Sequence, residues 1–323
     1  MIEFFCLNPE YSTTRRVGRA SRLAREVPRA DSKNLLLPPR PERKGEGGLR
    51  TRGYVKAAAA TPEDAATRSR DESGQPLVTI ITVVFNGART LEQAIISVLT
   101  RSYDNIEFII IDGGSTDGTL DVIRKYEHAI DYWVSEPDKG TYDAMNKALD
   151  IALGERIYFL GCDDVLVSNL RDIALLFRNR DVLYYGDVYL IHRRRLYDGA
   201  FNGFKLVMTN ICQQAIFYPR SVFQKYRFDT RYQTWADYHL NIRCYADPGL
   251  SLAYVPELVA IYNDRSGASS ARVDDVLEKD RNLLARQYFP GRVYIYFRVR
   301  RMLSRLLDYL GIKGAVKSAL RRI

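Results

Sequence analysis

From Pro76 onward the chain alternates between two hydrophobic rhythms, and the alternation predicts its elements. Residues 77–85 (Leu-Val-Thr-Ile-Ile-Thr-Val-Val-Phe) are an almost unbroken β-branched run, the pattern of a strand buried on both faces. Asn86-Gly87 ends it, and Leu91, Ala94, Ile95, Val98 and Leu99 then recur at the spacing of one helical face. A second buried run, 106–111, stops at Asp112-Gly113-Gly114-Ser115, and Thr116-Asp117-Gly118-Thr119 opens a helix through Tyr126. A third unit follows: strand 132–135, a turn at Asp138-Lys139-Gly140 and a helix from Tyr142 to Leu153. The fourth run, 156–160, leads into Gly161-Cys162-Asp163-Asp164. Strands and helices joined by short connections predict a parallel sheet with helices packed on it.

The second half has a different rhythm. It predicts a strand over 182–189, a basic hairpin at Arg193-Arg194-Arg195, a strand over 213–218 and a helix from about Ala236 to Tyr245. Mixed topology appended to a parallel half suggests a second substrate site in this part. In open α/β sheets ligands collect beyond the carboxyl ends of the strands. Asp112, Asp138 and the Asp163-Asp164 pair all fall at such ends, which predicts one coherent site.

Composition adds size and class. With 323 residues, 46% of them hydrophobic, the chain can bury a full core. Four dispersed cysteines without a C-x-x-C pair, and three histidines without ligand spacing, predict a reducing compartment and no structural zinc. The net charge of +9 is uneven. Residues 1–75 carry 15 Lys/Arg against 10 Asp/Glu, residues 281–323 carry 11 against 1, and the stretch between carries 22 against 28. An acidic middle argues against a nucleic-acid-binding face, which needs clustered cations, so no nucleic-acid partner is expected. Residues 1–75 hold half of the twelve prolines and no sustained apolar period, and are expected to be a mostly disordered basic tail. The segment from Arg15 to Arg29 reads as a short basic helix, as a transit-like segment, against which Glu26 and Asp31 count, or as part of an overlong start. The absence of a long apolar run or a secretory signal predicts a cytoplasmic protein. The expected organisation is therefore a tail at 1–75, an α/β domain at 76–280 (a parallel half 76–165 and a mixed half 166–280), and basic helices at 281–323.

Several residues admit both a chemical and a structural reading. Asp163-Asp164 either offers oxygen ligands to a hard divalent ion or is a solvated turn, and its place after Tyr158-Phe159-Leu160-Gly161 aims it at the strand-end crevice. Asp112 either hydrogen-bonds a nucleobase edge or caps its turn, and Phe85 either stacks on a base or belongs to the core. Lys139 either pairs with phosphate or is a solvated charge, and Asp143 fits the first turn of a helix. Asp237, in Thr234-Trp235-Ala236-Asp237-Tyr238, is either a general base on a rigid helix start or an ordinary N-terminal helix acid.

Taken together, 82–86, Ile111 to Thr119, Glu136 to Lys147 and Leu160 to Asp164 resemble the family 2 glycosyltransferases of GT-A fold. Tyr185-Gly186-Asp187-Val188, the stretch Asn210 to Tyr218 and the stretch Ala236 to Cys244 are similar to the branch containing colanic-acid-type and mycobacterial glycolipid transferases. The resemblance runs from about Pro76 to Ser270. It implies an α/β domain with a mixed, mainly parallel sheet flanked by helices. It also implies inverting, metal-assisted transfer of a sugar from a nucleotide-sugar donor to a glycolipid or polyprenyl-linked saccharide acceptor. Asp237 would be the base, and Asp164 would hold the divalent cation (Mg²⁺ or Mn²⁺). Phe85, Asn86, Asp112, Lys139, Asp143 and Asp163 would bind the donor, and Gln213, Gln214 and Trp235 the acceptor. Two departures stand out: the metal motif is Cys-Asp-Asp where Asp-x-Asp is usual, and Gln213 replaces a histidine. Glutamine donates and accepts hydrogen bonds but carries no proton, so that position is expected to orient its ligand.

The C-terminal stretch from Arg292 places Val299, Met302, Leu303, Leu306 and Leu310 on one helical face among arginines, the pattern either of a helix lying on an anionic membrane surface or of a C-terminal helix packed on the domain with its arginines facing water, and the charge excess favours the membrane. The expected location is thus the inner face of the cell membrane. Two rival functions remain. A nucleotidyltransferase would carry a Gly-rich, cationic loop after the first strand, where this chain has Asn86-Gly87-Ala88-Arg89. A non-catalytic nucleotide-sugar-binding scaffold would dispense with the aspartates, and all are present.

Overall fold

The computed structural model describes residues 35–55, 76–103, 105–265 and 274–311, with the backbone of residues 25 and 26. The expectations for the Arg15–Arg29 segment and for residues 312–323 lie outside the described residues. Ten strands form one sheet: β1 (Gly45–Gly47), β2 (Val78–Val84), β3 (Ile106–Asp112), β4 (Tyr132–Ser135), β5 (Arg156–Phe159), β6 (Val165–Leu166), β7 (Val182–Leu190), β8 (Arg195–Tyr197), β9 (Ile216–Pro219) and β10 (Ser251–Tyr262). Their order is β1-β4-β3-β2-β5-β9-β7-β10-β6, with β8 paired to the outside of β7. The β4-β3-β2-β5 ladders are parallel, as is β7 with β10, while β9 runs antiparallel to both its neighbours. The nine helices described are α1 (Leu91–Leu99), α2 (Thr119–Lys125), α3 (Thr141–Ile151), α4 (Leu170–Ala174), α5 (Gly203–Leu206), α6 (Arg220–Lys225), α7 (Ala236–Ala246), α8 (Asp275–Tyr288) and α9 (Gly291–Tyr309). This is the expected mixed, mainly parallel α/β architecture.

Strand alternation splits the core in two. Ile109 and Ile111 face one layer with Ile81, Ile157 and Phe159, against α3, α7 and α8. Phe108 and Ile110 face the other with Val78 and Ile80, against α1. Each large apolar side chain so buried contributes about 1.5–3 kcal/mol, so both layers hold the central strands in register. The strand ends, and the loops that leave them, are therefore fixed.

Four features depart from the expectations. First, residues 35–55 do not belong to a structureless tail: β1 pairs antiparallel with β4, and Arg50 is buried in a short ion pair with Glu107. A Gly-Glu-Gly strand carries no hydrophobic signature. It is built of glycines because a Cβ on Gly47 would lie 2.6 Å from the Trp133 ring nitrogen. Second, β10 runs through Pro256 and Glu257, which break the strand pattern. A register shift between Tyr254 and Leu258 absorbs them, and Gly186 of β7 makes room, since a Cβ there would lie 2.4 Å from the Glu257 carbonyl. Third, Gln213–Ala215 is a 3₁₀ turn and the strand begins only at Ile216. Fourth, the boundary at 281 falls inside α8, whose Leu284 and Ala285 belong to the core with Val293 and Phe297 of α9. The packed core thus extends into the basic segment.

Candidate active site

The loops after the central strands are tied to one another before any ligand is considered. Asp112, at the end of β3, is fully buried; its Oδ2 accepts from the Gly114 amide (3.1 Å), the Ser115 amide (3.0 Å) and Ser135 Oγ (2.6 Å). Ser115 Oγ donates a short bond to the other Asp112 oxygen and accepts from the Asn86 amide at 2.7 Å. Asn86, in the left-handed region at φ 53°, accepts from the Thr116 amide at 2.9 Å, and Asp117 accepts from the Ala88 amide at 3.1 Å. The loops after β2 and β3 thereby form one rigid rim.

This rim opens onto a crevice of about 1250 Å³ that also receives the loops after β4, β5 and β8 and the start of α7. Phe85, 65% exposed, presents its ring to it. Asp138 lines the same wall: a Cβ on Gly113 would lie 2.6 Å from Asp138 Oδ2 and 3.4 Å from the Phe85 ring. Burial raises the Asp138 carboxyl above the ordinary range.

Asp163 and Asp164 form the floor. Asp164 is buried; its Oδ1 accepts from the Asn263 amide at 2.8 Å, while its Oδ2 makes no well-aligned hydrogen bond among the described residues, with the Gly161 backbone and the Gln214 side chain near the carboxyl. Burial, and after it the adjacent Asp163 charge, pushes the Asp164 carboxyl up to about 8. An orphaned carboxylate oxygen beside a second carboxylate suits a hard cation, which would satisfy that oxygen and relieve the repulsion. Among the described residues no cluster of three or more His, Cys, Asp or Glu side chains is placed to hold a metal. These two carboxylates could therefore supply only part of a cation's ligands.

Asp237 lines the same crevice from the first turn of α7, half-buried. Tyr142 OH, on α3, shares its one proton between Oδ1 at 2.9 Å and the Thr234 carbonyl at 2.8 Å, and Asn210 Nδ2 donates to Oδ2 at 2.6 Å. Asn210 is fixed in turn by Asn241 Nδ2 (2.8 Å), and Asn241 accepts from Tyr218 OH at 2.7 Å. Burial raises the Asp237 carboxyl to about 6, against the lowering effect of its donors. Burial, and then the Asp237 charge, keeps the Tyr142 phenol protonated. Asp237 is thus an oriented acceptor with a pKa near neutrality, the properties required of a general base.

The structure brings Phe85, Asn86, Asp163, Asp164, Gln213, Gln214, Trp235 and Asp237 to this crevice. It does not bring Asp112, Lys139 or Asp143 to the lining. Asp112 builds the rim from beneath. The Lys139 side chain points to solvent, and its amide donates to Asp143 Oδ2 at 3.1 Å, so Asp143 caps the start of α3. Gln213 is buried, with its Nε2 set 3.6 Å from the Met145 sulfur. Tyr142 and Asn210 are additional site residues: both lie inside the motifs quoted above, but only their contacts across 92–95 and 27–31 positions of chain reveal their roles.

A mainly parallel sheet whose strand-end loops gather carboxylates around one crevice is the architecture of the GT-A glycosyltransferases. Residues 79–227 match the family model described as Glycosyl transferase family 2. A "PGL/p-HBAD biosynthesis glycosyltransferase" of Mycobacterium bovis is 36% identical over 210 residues, covering 62% of this chain and 81% of that protein. An "Uncharacterized glycosyltransferase" of Haemophilus influenzae is 32% identical over 117 residues, covering 35% and 47%. Among solved structures, S. aureus TarS 1-349 in complex with UDP shares the fold with a TM-score of 0.57 at 14% identity, covering 72% of each chain. The chain belongs to family 2 of the glycosyltransferases, and the protein is a glycosyltransferase.

Proposed function

We propose that the protein moves a sugar from a nucleoside-diphosphate donor to a lipid-linked or polysaccharide-precursor acceptor, with inversion at the anomeric carbon and with a divalent cation, Mg²⁺ or Mn²⁺. The observation that supports the reading is that Asp237, held by Tyr142 and Asn210, lines one crevice together with Asp163-Asp164 and Phe85. The structures of TarS with UDP and with UDP-GlcNAc support a nucleotide-sugar donor. The mycobacterial relative's name, with PGL a glycolipid, supports a glycolipid-type acceptor.

Phe85 and Asp138 would receive the base, and Trp235, which meets Tyr238 edge-on at 6.2 Å, would cover the acceptor. Asp237 takes the proton of the acceptor hydroxyl; the freed oxygen attacks the anomeric carbon from the face opposite the nucleotide. The bond to the diphosphate breaks, and the diphosphate leaves with the electron pair. Asp164, with Asp163 beside it, would hold the cation, which when bound neutralises charge on the departing diphosphate.

The exposed face of α9, with Ile295, Val299, Met302, Leu303, Leu306 and Leu310 between arginines, supports residence on an anionic membrane at the cytoplasmic face. Among the described residues no helix is long and apolar enough to cross a membrane.

The test is turnover of a panel of UDP-, GDP- and dTDP-sugars with Mn²⁺ or Mg²⁺, with and without EDTA. Transfer from one donor class, abolished in Asp237→Asn, is the expected result. Full turnover by Asp237→Asn would remove Asp237 from the mechanism.

A further inference from the structure

Residues 35–55 reach the donor side of the crevice from outside, although none of them lines it. Lys44 Nζ donates to the Gly114 carbonyl at 2.6 Å and the Ser115 carbonyl at 3.3 Å, the same two residues whose amides donate to Asp112. A Cβ on Gly114 would lie 3.8 Å from Lys44 Nζ, 3.5 Å from the Pro137 nitrogen and 3.7 Å from the Glu136 carbonyl carbon, so three segments meet there. One residue further, buried Glu136 gathers three cations: Arg43 at 2.9 Å, Arg40 at 3.4 Å and Lys147 at 3.2 Å. Lys147 also donates to the Pro137 carbonyl at 3.0 Å. Pro137 precedes Asp138, which sits against Gly113 beside the Phe85 ring. Both sides of the slot between Phe85 and Asp138 are thus clamped by cations of residues 35–55: the Gly113–Ser115 side by Lys44 and the Glu136–Asp138 side by Arg43.

We infer that residues 35–55 are a strap whose Lys44 and Arg43 are positioning residues for the nucleobase of the donor, setting the width of the slot without touching the ligand. The inference rests on the donor reading above and adds a determinant to it outside the crevice. A lysine bonded to two backbone carbonyls neutralises their partial charges and fixes the loop. Without it the Gly113–Ser115 turn keeps Asp112 but loses its outer restraint, and the slot must be closed again at each binding event. Lys44 is an exposed residue, so its replacement leaves the core intact.

The experiment is a binding titration of wild type, Lys44→Met and Lys44→Arg with uridine, guanosine, thymidine and their diphosphates, with kcat measured at saturating donor. For whichever base the wild type accepts, Lys44→Met should weaken nucleoside and nucleoside diphosphate by the same factor, about five- to tenfold, and leave kcat unchanged. Lys44→Arg should restore binding to within about twofold, because the guanidinium can also donate to both carbonyls. Wild-type affinity in Lys44→Met, or a loss confined to the diphosphate, would overturn the strap. The second result would mean that Lys44 meets the phosphates directly. Failure of the wild type to bind any of the six ligands would instead overturn the donor reading itself, and the strap with it.

Discussion

Asn210 Nδ2 lies 2.6 Å from Asp237 Oδ2, and that bond, with the phenol of Tyr142 on the other oxygen, leaves the carboxylate one orientation. A base so held has its acceptor direction chosen before substrate arrives. Asp237→Asn preserves the shape and removes the proton acceptor. The expected outcome is a fall in kcat of about 10²- to 10⁴-fold with unchanged donor affinity, read by steady-state transfer and nucleotide titration side by side.

The acid limb of the pH profile should report Asp237. The base works ionised, so kcat/KM should fall on acidification through about 6 and level off above it. Tyr142→Phe deletes a donor that favours the ionised form, so its limb should move to higher pH. The same shift costs stability. The folded carboxyl binds its proton more tightly than an unfolded one, so stability is full below the ordinary carboxylate range and is lost as pH rises through about 6. Asp237→Asn should therefore melt higher than wild type at pH 7.5, and the gain should vanish near pH 4; equal melting curves at both pH values would contradict the burial that raises this group.

Asp164 Oδ2 supplies the handle for a cation. Mn²⁺ or Mg²⁺ should raise the melting temperature of the wild type, more strongly with nucleoside diphosphate present, and EDTA should reverse it. Asp164→Asn should melt at the same temperature with and without metal. A shift that survives in this variant would place the cation elsewhere.

Arg50 fills a buried place at the back of the sheet. It pairs with Glu107, and its Nη1 donates to the Ile151 carbonyl at 2.8 Å. Arg50→Met removes the ion-pair partner of buried Glu107 and leaves it the Thr79 hydroxyl, the Leu153 amide and the more distant charge of Arg220, and should cost about 3 kcal/mol in urea unfolding. Adding Glu107→Gln should recover part of the loss, because the uncompensated charge is then gone.

On the outer face of α9, Leu303 is 45% and Leu306 50% exposed. Replacing both by glutamate should abolish co-sedimentation with anionic vesicles while leaving turnover on a water-soluble acceptor unchanged. Binding that persists would move the membrane contact off this helix.

The donor half was legible because its strands are long enough, and buried enough on both faces, to read as β-branched runs. The predicted and observed limits of β4 coincide, and those of β2, β3 and β5 differ by a residue or two at most. What escaped was decided by partners distant in sequence. β1 is glycine opposite Trp133, β10 hides behind Pro256, and α8 is announced only by Asp274. That carboxylate caps Leu277 at 3.0 Å and reaches the Thr234 amide at 3.0 Å. The site followed the same rule. Local context left Asp237 open between a base and a helix acid and only the resemblance of the motifs singled it out, whereas the burial of Asp112 depends on the amides and hydroxyls that fold over it. A motif that marks a nucleotide-binding loop does not say which of its residues faces the ligand and which holds the loop in shape.

The antiparallel pairing of β1 with β4 has a practical corollary for anyone who shortens this chain. A version starting at Pro76, the first residue with an obvious strand pattern, would strip the outer flank of β4 and leave the amides and carbonyls of Tyr132–Ser135 seeking another chain. It should collect in inclusion bodies, whereas a version starting ahead of residue 35 should stay monodisperse.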